Sequence, residues 1–323
     1  MSMTSGELVE VLRAAGEPTR LRILALLLRE ELSVMELGQI LDQSQPRVSR
    51  HLKLLADAGL IERFPDGAWV FYRLALAGDG RRLVERALAH LDVGEPVIAR
   101  DLDRLGQVHQ ARQAVAAAYF ERNAARWGEV RSLYVDESEV ERAILEAAGS
   151  GPYERLIDLG TGAGRMLTLL GARAGSALGL DLSQQMLNIA RREVAEAGLG
   201  GLELRHGDIF ATGLPSGFAD LVVIHRVLHY LSDPAAAVAE AARLVSSGGR
   251  LLIVDFAPHR LEFLRQAHQH RRLGFSDDEI ARWCAEGGLA DVTTTTLPPL
   301  TEDGLTVKIW LARPSVGARR SAA

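Results

Sequence analysis

Two domains of different class are predicted: a small helical domain closed by a hairpin, then a doubly wound α/β domain ending in an antiparallel strand. Three observations predict them. From Glu7 to Leu55 apolar residues recur at helical spacing, and the run LIERFPDGAWVFYRL then switches to two strand-like stretches joined by Pro65, Asp66 and Gly67. From Tyr153 onward β-rich runs alternate with helical patterns, the order of a parallel sheet with crossover helices. Between the first such run and its helix lies a glycine-rich turn, LIDLGTGAGR, Leu156 to Arg165.

Composition sets the outer limits. The chain has 323 residues, 47% hydrophobic and 24% charged, which gives room for two cores. No apolar run approaches the roughly 18 residues of a membrane span, and the start MSMTSGELVE lacks a basic, apolar export signal, so a cytoplasmic protein is expected. A single cysteine, Cys284, fits a reducing compartment and rules out a cysteine-only metal cage. The formal charge of -5 means that attraction to a polyanion must come from a local basic face.

In the first domain, Glu7 to Ala15 and Thr19 to Arg29 read as helices, with Leu21, Leu24, Leu27 and Leu28 on one stripe and Pro18 opening the second. Val34, Leu37, Ile40 and Leu41 line a short third helix. Asp42 and Gln43 form a polar turn, and Ser44 is a suitable N-cap for the next helix, with Pro46 in its first turn. On that helix Val48, Leu52 and Leu55 make a buried stripe, while Arg47, Ser49, Arg50 and Lys53 project elsewhere and suit a DNA major groove. Helix, turn, helix and hairpin make a winged helix over residues 1–77.

These stretches, EPTRLRILALL, SQPRVSRHLKLLADAGLIE and the wing, resemble the ArsR/SmtB family of bacterial repressors. The resemblance implies that Ser44, Gln45, Arg47, Ser49, Arg50 and His51 face DNA, Lys53 a phosphate, and Arg63 and Arg73 the backbone beside the wing. It also implies a homodimer. The family's cysteine metal site would fall at LSVMEL, which has no cysteine, and its Asp, His and Glu site finds only His90 and Asp92. No metal sensing is expected.

Residues 78–114 read as a helical linker and dimerisation segment, with Gly80 to Leu91 a candidate seam against residues 7–15. Farther on, Tyr119, Phe120, Trp127 and Tyr134 gather aromatic side chains that either cover a ligand or pack between helices.

The second domain, residues 115–313 before a flexible tail at 314–323, contains the runs RLIDL, SALGLDL, LELRHGDI, ADLVVIH and GRLLIVDF. VTTTTL and LTVKIWLA follow and are expected to pair antiparallel. Ser276 with Glu279 forms a capping box, and Gly287 and Gly288 end that helix. The glycine turn lets backbone amides approach a ligand at a helix N-terminus, and Asp181 stands about 20 residues beyond Gly160, where an acid grips ribose hydroxyls. The reading is a nucleoside-cofactor site.

A dinucleotide fingerprint would place its last glycine at Arg165, but the pattern here is DxGxGxG. With Asp181, the HGDI of residues 206–209 and the closing hairpin, it resembles class I S-adenosylmethionine-dependent methyltransferases. The resemblance implies that Asp158, Gly160, Gly162 and Gly164 cradle the methionine end, Asp181 holds the ribose, Leu182 and Ile209 sandwich adenine, and Asp208 accepts from its amino group. The expected ligands are S-adenosylmethionine or S-adenosylhomocysteine, with no metal.

His225 and His229, in VVIHRVLHYL, leave the fourth strand four residues apart; on a helix they would share one side, as a base or as substrate contacts. His259, His268 and His270 with Arg271 and Arg272 form a second polar cluster, which binds an anionic substrate, grips a neighbouring domain or is plain surface. Arsenite methylation is set aside for want of cysteines, and DNA base methylation because IHRVLHY stands where its Asn or Asp, Pro, Pro, aromatic motif belongs. The expected function is a dimeric repressor of an operator in double-stranded DNA, with the adenosyl ligand as effector. The alternative is an active small-molecule methyltransferase with a fused DNA-binding domain.

Overall fold

The computed structural model describes residues 3–66, 69–75, 78–123, 136–199, 202–299 and 304–314. The chain divides into two compact units, 1–114 and 115–323. Among the described residues no helix is long and apolar enough to cross a membrane.

In the first unit, α1 (Ser5–Ala15) starts at a capping box, where the Thr4 hydroxyl accepts from the Glu7 amide and the Glu7 carboxylate accepts from the Thr4 amide. α2 (Pro18–Leu27) has proline in its first turn, where the missing N–H costs nothing. β1 (Leu32–Ser33) leads into α3 (Val34–Leu41), which opens on a second capping box between Ser33 and Glu36. Asp42, in the left-handed region at φ 56°, stops α3 and turns the chain into α4 (Gln45–Asp57). β2 (Ile61–Asp66) pairs antiparallel with β3 (Trp69–Leu74), and β1 adds to the other edge of β3. The turn residue Gly67 lies outside the described residues. α5 (Asp79–Leu88) and α6 (Pro96–Asn123) follow.

Ile23, Leu24, Leu37, Ile40, Val48, Leu52 and Leu55 are fully buried in one core that also takes Val84, Leu88, Leu105 and Val108 from α5 and α6. At about 1.5–3 kcal/mol for each large apolar side chain, this burial is what fixes the angle at which α4 is presented. The α2 stripe differs from the expected one. Ile23 and Leu26 face inward with Leu24 and Leu27, whereas Leu21 is half-buried and Leu28 exposed, because the helix meets both α4 and the sheet and needs a wider apolar face. The Arg22 guanidinium forks onto both oxygens of the buried Asp101 at 2.6 Å, joining α2 to α6.

The second unit takes in the last residues of α6, and α7 (Glu137–Ala148) follows. Its strands are β4 (Tyr153–Leu159), β5 (Ala174–Asp181), β6 (Leu202–His206), β7 (Ala219–His225), β8 (Val245–Phe256), β9 (Leu289–Leu297) and β10 (Val307–Pro314). They form one seven-stranded sheet in the order β6-β5-β4-β7-β8-β10-β9. All neighbours run parallel except β10, which is antiparallel to β8 and β9. The crossovers are α8 (Arg165–Leu170), α9 (Gln184–Glu196) and α10 (Pro234–Leu244); α11 (Phe263–His268) and α12 (Asp277–Glu286) follow β8.

Alternation along the strands fills both faces. Ile157, Leu159, Val222, Ile224, Leu251 and Ile253 enter one core, and Leu156, Leu221, Val223, Leu252 and Val254 enter the other. The expected capping box at Ser276 and Glu279 is present, and Asp277 beside it accepts from the indole N–H of the buried Trp310 at 2.7 Å. Because β4 to β8 are parallel, the loops after them open on one edge of the sheet, where ligands of open α/β sheets bind.

Candidate functional site

Each unit presents one candidate surface. In the first it is the outer face of α4, where Ser44, Gln45, Arg47, Ser49, Arg50 and Lys53 are all exposed. Ser44 occupies the N-cap position, but its hydroxyl makes no capping bond, so it is free to donate outward. Arg63 is exposed on β2. Two expected contacts are placed otherwise. The His51 ring is half-buried, with Nδ1 3.4 Å from Glu17 Oε2 at the start of α2, because its position is on the flank of the helix nearest the core. The Arg73 guanidinium bonds Glu62 at 3.1 Å and Glu31 at 3.4 Å and lies 4.8 Å from the Phe64 ring centre, so β3 uses this cation within the domain.

In the second unit the loops after β4, β5 and β6 meet at Asp181. Its Oδ2 accepts from the Gly162 amide at 2.8 Å, its Oδ1 from the Ser183 amide at 2.8 Å, and its backbone carbonyl from the Gly207 amide at 3.0 Å. Gly160 and Gly164 have φ of 73° and 81°, the left-handed region where a side chain is strained. A Cβ on Gly160 would stand 2.6 Å from Val227 Cγ2, and one on Gly164 3.0 Å from the Ala190 Cβ. The chain therefore packs as tightly here as glycine alone permits.

Asp158, at the end of β4, is buried; Thr161 donates to its Oδ2 at 2.6 Å, and its Oδ1 has no partner among the described residues. Burial, with the Asp181 charge adding to it, pushes the Asp158 carboxyl up to about 7. Withdrawal from water also raises the Asp181 carboxyl. Asp208 is half-buried and accepts from the Phe210 amide at 3.0 Å. Leu182 is exposed and Ile209 buried in the core, so the two offer unequal surfaces.

The histidines are arranged differently from the expected helical pair. His225 ends β7, Arg226 turns the chain at φ 53°, and His229 sits in a 3-10 turn, Leu228–Tyr230; i, i+4 helical spacing therefore does not apply. His229 is buried, and its Nδ1 lies 2.7 Å from Oδ1 of the fully buried Asp255 at the end of β8. His259 and His270 belong to this same group, with the His270 ring centre 4.2 Å from that of His229, rather than to a separate cluster. Arg271 and Arg272 stay beside it through their amides, which donate to the His229 carbonyl at 2.8 and 3.1 Å. Arg226 pairs with Glu137, and Arg165 with Glu141, so two carboxylates of α7 reach the ends of the loops.

Asp255, Arg226, Thr161, Glu137 and Glu141 were not singled out by sequence. An acid closing the apolar run RLLIVDF was the one signal available for Asp255. The Cys284 thiol, pushed up to about 12 by burial, supplies no thiolate. Trp127 and Tyr134 lie outside the described residues, as do the side chains of Tyr119 and Phe120.

Comparison with known proteins identifies the family of each domain. Residues 17–63 match the family described as bacterial regulatory protein, arsR family, and residues 157–253 match the methyltransferase domain family. The chain thus carries an arsR-type DNA-binding domain followed by a methyltransferase domain. An uncharacterized 37.1 kDa protein in transposon TN4556 of Streptomyces fradiae is 32% identical over 177 residues, half of each chain. A ubiquinone biosynthesis O-methyltransferase of Thiobacillus denitrificans is 29% identical over 209 residues, 58% of this chain and 89% of that one. The solved complex between the Trm112 methyltransferase activator of Haloferax volcanii and its methyltransferase partner shares the fold, with TM-score 0.51 and 20% identity over 61% of this chain and 98% of that chain.

Proposed function

We propose that this protein is a DNA-binding transcriptional regulator of repressor type whose methyltransferase domain binds S-adenosylmethionine or S-adenosylhomocysteine, and that this ligand changes its affinity for operator DNA. The observation that carries the reading is the convergence of three loops on Asp181 beside glycines at which a Cβ would crowd its neighbours. The residues fit an adenosyl amino acid: Asp181 would accept from the ribose hydroxyls, Leu182 is exposed for a base to lie on, and Asp158 keeps one buried oxygen for a donor. On the DNA side, Arg47, Arg50 and Lys53 neutralise phosphates or read base edges, and Ser44, Gln45 and Ser49 supply polar contacts. Arg63 contributes at the wing.

The reading further takes the protein to be a cytoplasmic homodimer that responds to no metal. Exposed Leu8, Val9 and Leu12 on α1 support dimerisation, since an apolar strip on a short helix is otherwise a liability in water. Calorimetry of the full chain with each adenosyl ligand tests the core of the proposal. Binding of at least one, lost in Gly160→Ala, is the expected result, and no heat from either rejects it.

A second reading, turnover of the methyl group onto a small molecule, is favoured by the buried His229–Asp255 pair, a costly arrangement with no evident structural purpose. Methyl transfer from radiolabelled S-adenosylmethionine to a compound in cell extract, abolished in His229→Ala, is the outcome this reading expects.

A further inference from the structure

One strand along from the adenosyl crevice, after β7 and β8, lies a second buried polar cluster. It holds His229, Asp255 and His270, with Phe256 centred 5.1 Å from His229 and 5.8 Å from His270, and Tyr230 and His259 at its rim. Among the described residues Asp255 Oδ2 and His270 Nδ1 are buried without a hydrogen-bond partner. Buried polar atoms are nearly always paired, so two orphans in one cluster point to an occupant.

Donor and acceptor capacity says what kind. A carboxylate only accepts, so Asp255 Oδ1 places the proton of His229 on Nδ1 and leaves Nε2 as an acceptor. Burial, then the charges of His229, His259, His268 and Arg265, hold His270 far below the usual imidazole range, so it stays neutral. Two acceptors, Asp255 Oδ2 and His229 Nε2, await a donor. Arg265 already brings positive charge beside His270, so an uncharged donor fits better than an ammonium.

We propose that this cluster is a second ligand site, which takes a compound through a weakly acidic hydroxyl of the phenol or enol type, with His229 Nε2 receiving its proton and Asp255 as the positioning residue. The flat rings of Phe256 and Tyr230 suit a flat carbon skeleton. Only the step that follows rests on the adenosyl reading and its methyl-transfer form. In it the hydroxyl oxygen bonds the methyl carbon, the sulfur–carbon bond breaks with its electron pair left on sulfur, and the hydroxyl proton passes to Nε2.

The test uses the full chain with para-nitrophenol, whose phenolate absorbs visibly, titrated with and without S-adenosylhomocysteine. Wild type should bind it saturably, and the bound probe should ionise at lower pH than the free one. Asp255→Asn and His229→Gln should weaken binding about tenfold and return the ionisation to that of the free probe, with DNA binding unchanged. Asp255→Asn is diagnostic, because an amide can donate to Nδ1, which moves the ring proton to Nε2 and turns the acceptor into a donor. If either variant fails to fold, the wild-type titration still decides. Absence of binding, ionisation like that of the free probe, or tighter binding of benzylamine would each overturn the proposal. Calorimetry with S-adenosylhomocysteine alone reports on the crevice, so failure there is distinguishable from failure here.

Discussion

The outer face of α4 and the strand-end site of the second domain solve opposite electrostatic problems. On α4, Arg47, Arg50 and Lys53 stand exposed, their charge available to a partner and screened by salt until it arrives. At the strand ends Asp158, Asp181, His229 and Asp255 are withdrawn from water and committed to one another or to backbone amides. A surface that meets a polyanion needs uncommitted cations, whereas a small-ligand site needs groups fixed before the ligand comes. Arg73 marks the boundary between the two: it is a cation near the wing, yet it is already used by Glu31 and Glu62.

The largest break in this comparison should come from Gly160→Ala. A Cβ 2.6 Å from Val227, on a backbone at φ 73°, forces the loop to move, at a cost of about 1–3 kcal/mol in stability. Adenosyl affinity should drop beyond calorimetric detection while DNA binding without ligand is kept. Joint replacement of Arg50 and Lys53 by Ala should do the reverse, leaving adenosyl binding intact and reducing the salt slope of DNA affinity by about 0.9 for each phosphate no longer neutralised. A fluorescence anisotropy series in salt reads this directly.

Why α4 could be read from sequence and the histidine cluster could not follows from how each is assembled. Val48, Leu52 and Leu55 set the buried side of one helix, so the outward positions of Arg47, Arg50 and Lys53 follow from a single periodicity. The glycine turn and Asp181 were legible because one strand, turn and helix fix their separation. His229, Asp255 and His270 come from three segments joined through the strand order β7-β8 and the chain after β8, and no local pattern contains that. His225 and His229 invited a helical reading, but the left-handed turn at Arg226 intervenes, and nothing in the local sequence announces a positive φ at an arginine. His51 shows the same limit on a smaller scale, since its position beside Glu17 depends on how α4 packs on α2.

Smaller effects sharpen the contrast. Asp181→Asn should weaken adenosyl binding about tenfold, because one oxygen that accepts from an amide becomes a donor facing it. Asp158 gives a pH signature. Its folded-state value of about 7 lies above the ordinary 3.8, so the folded protein keeps a proton that the unfolded chain has lost, and stability falls as pH rises between those values. Asp158→Asn should flatten that decline in thermal melts across the window. The least change is expected from Arg73→Ala, which should cost about 1 kcal/mol or less in stability and leave the salt slope of DNA binding as it was.

Reciprocity between the two regions is the central claim, and one thermodynamic cycle tests it: operator affinity with and without saturating S-adenosylhomocysteine or S-adenosylmethionine, and ligand affinity with and without operator. The account predicts that at least one ligand shifts operator affinity by about 5- to 150-fold, and that operator shifts the affinity for that ligand by the same factor. Operator affinity that is identical in the presence of both ligands and in their absence would contradict it.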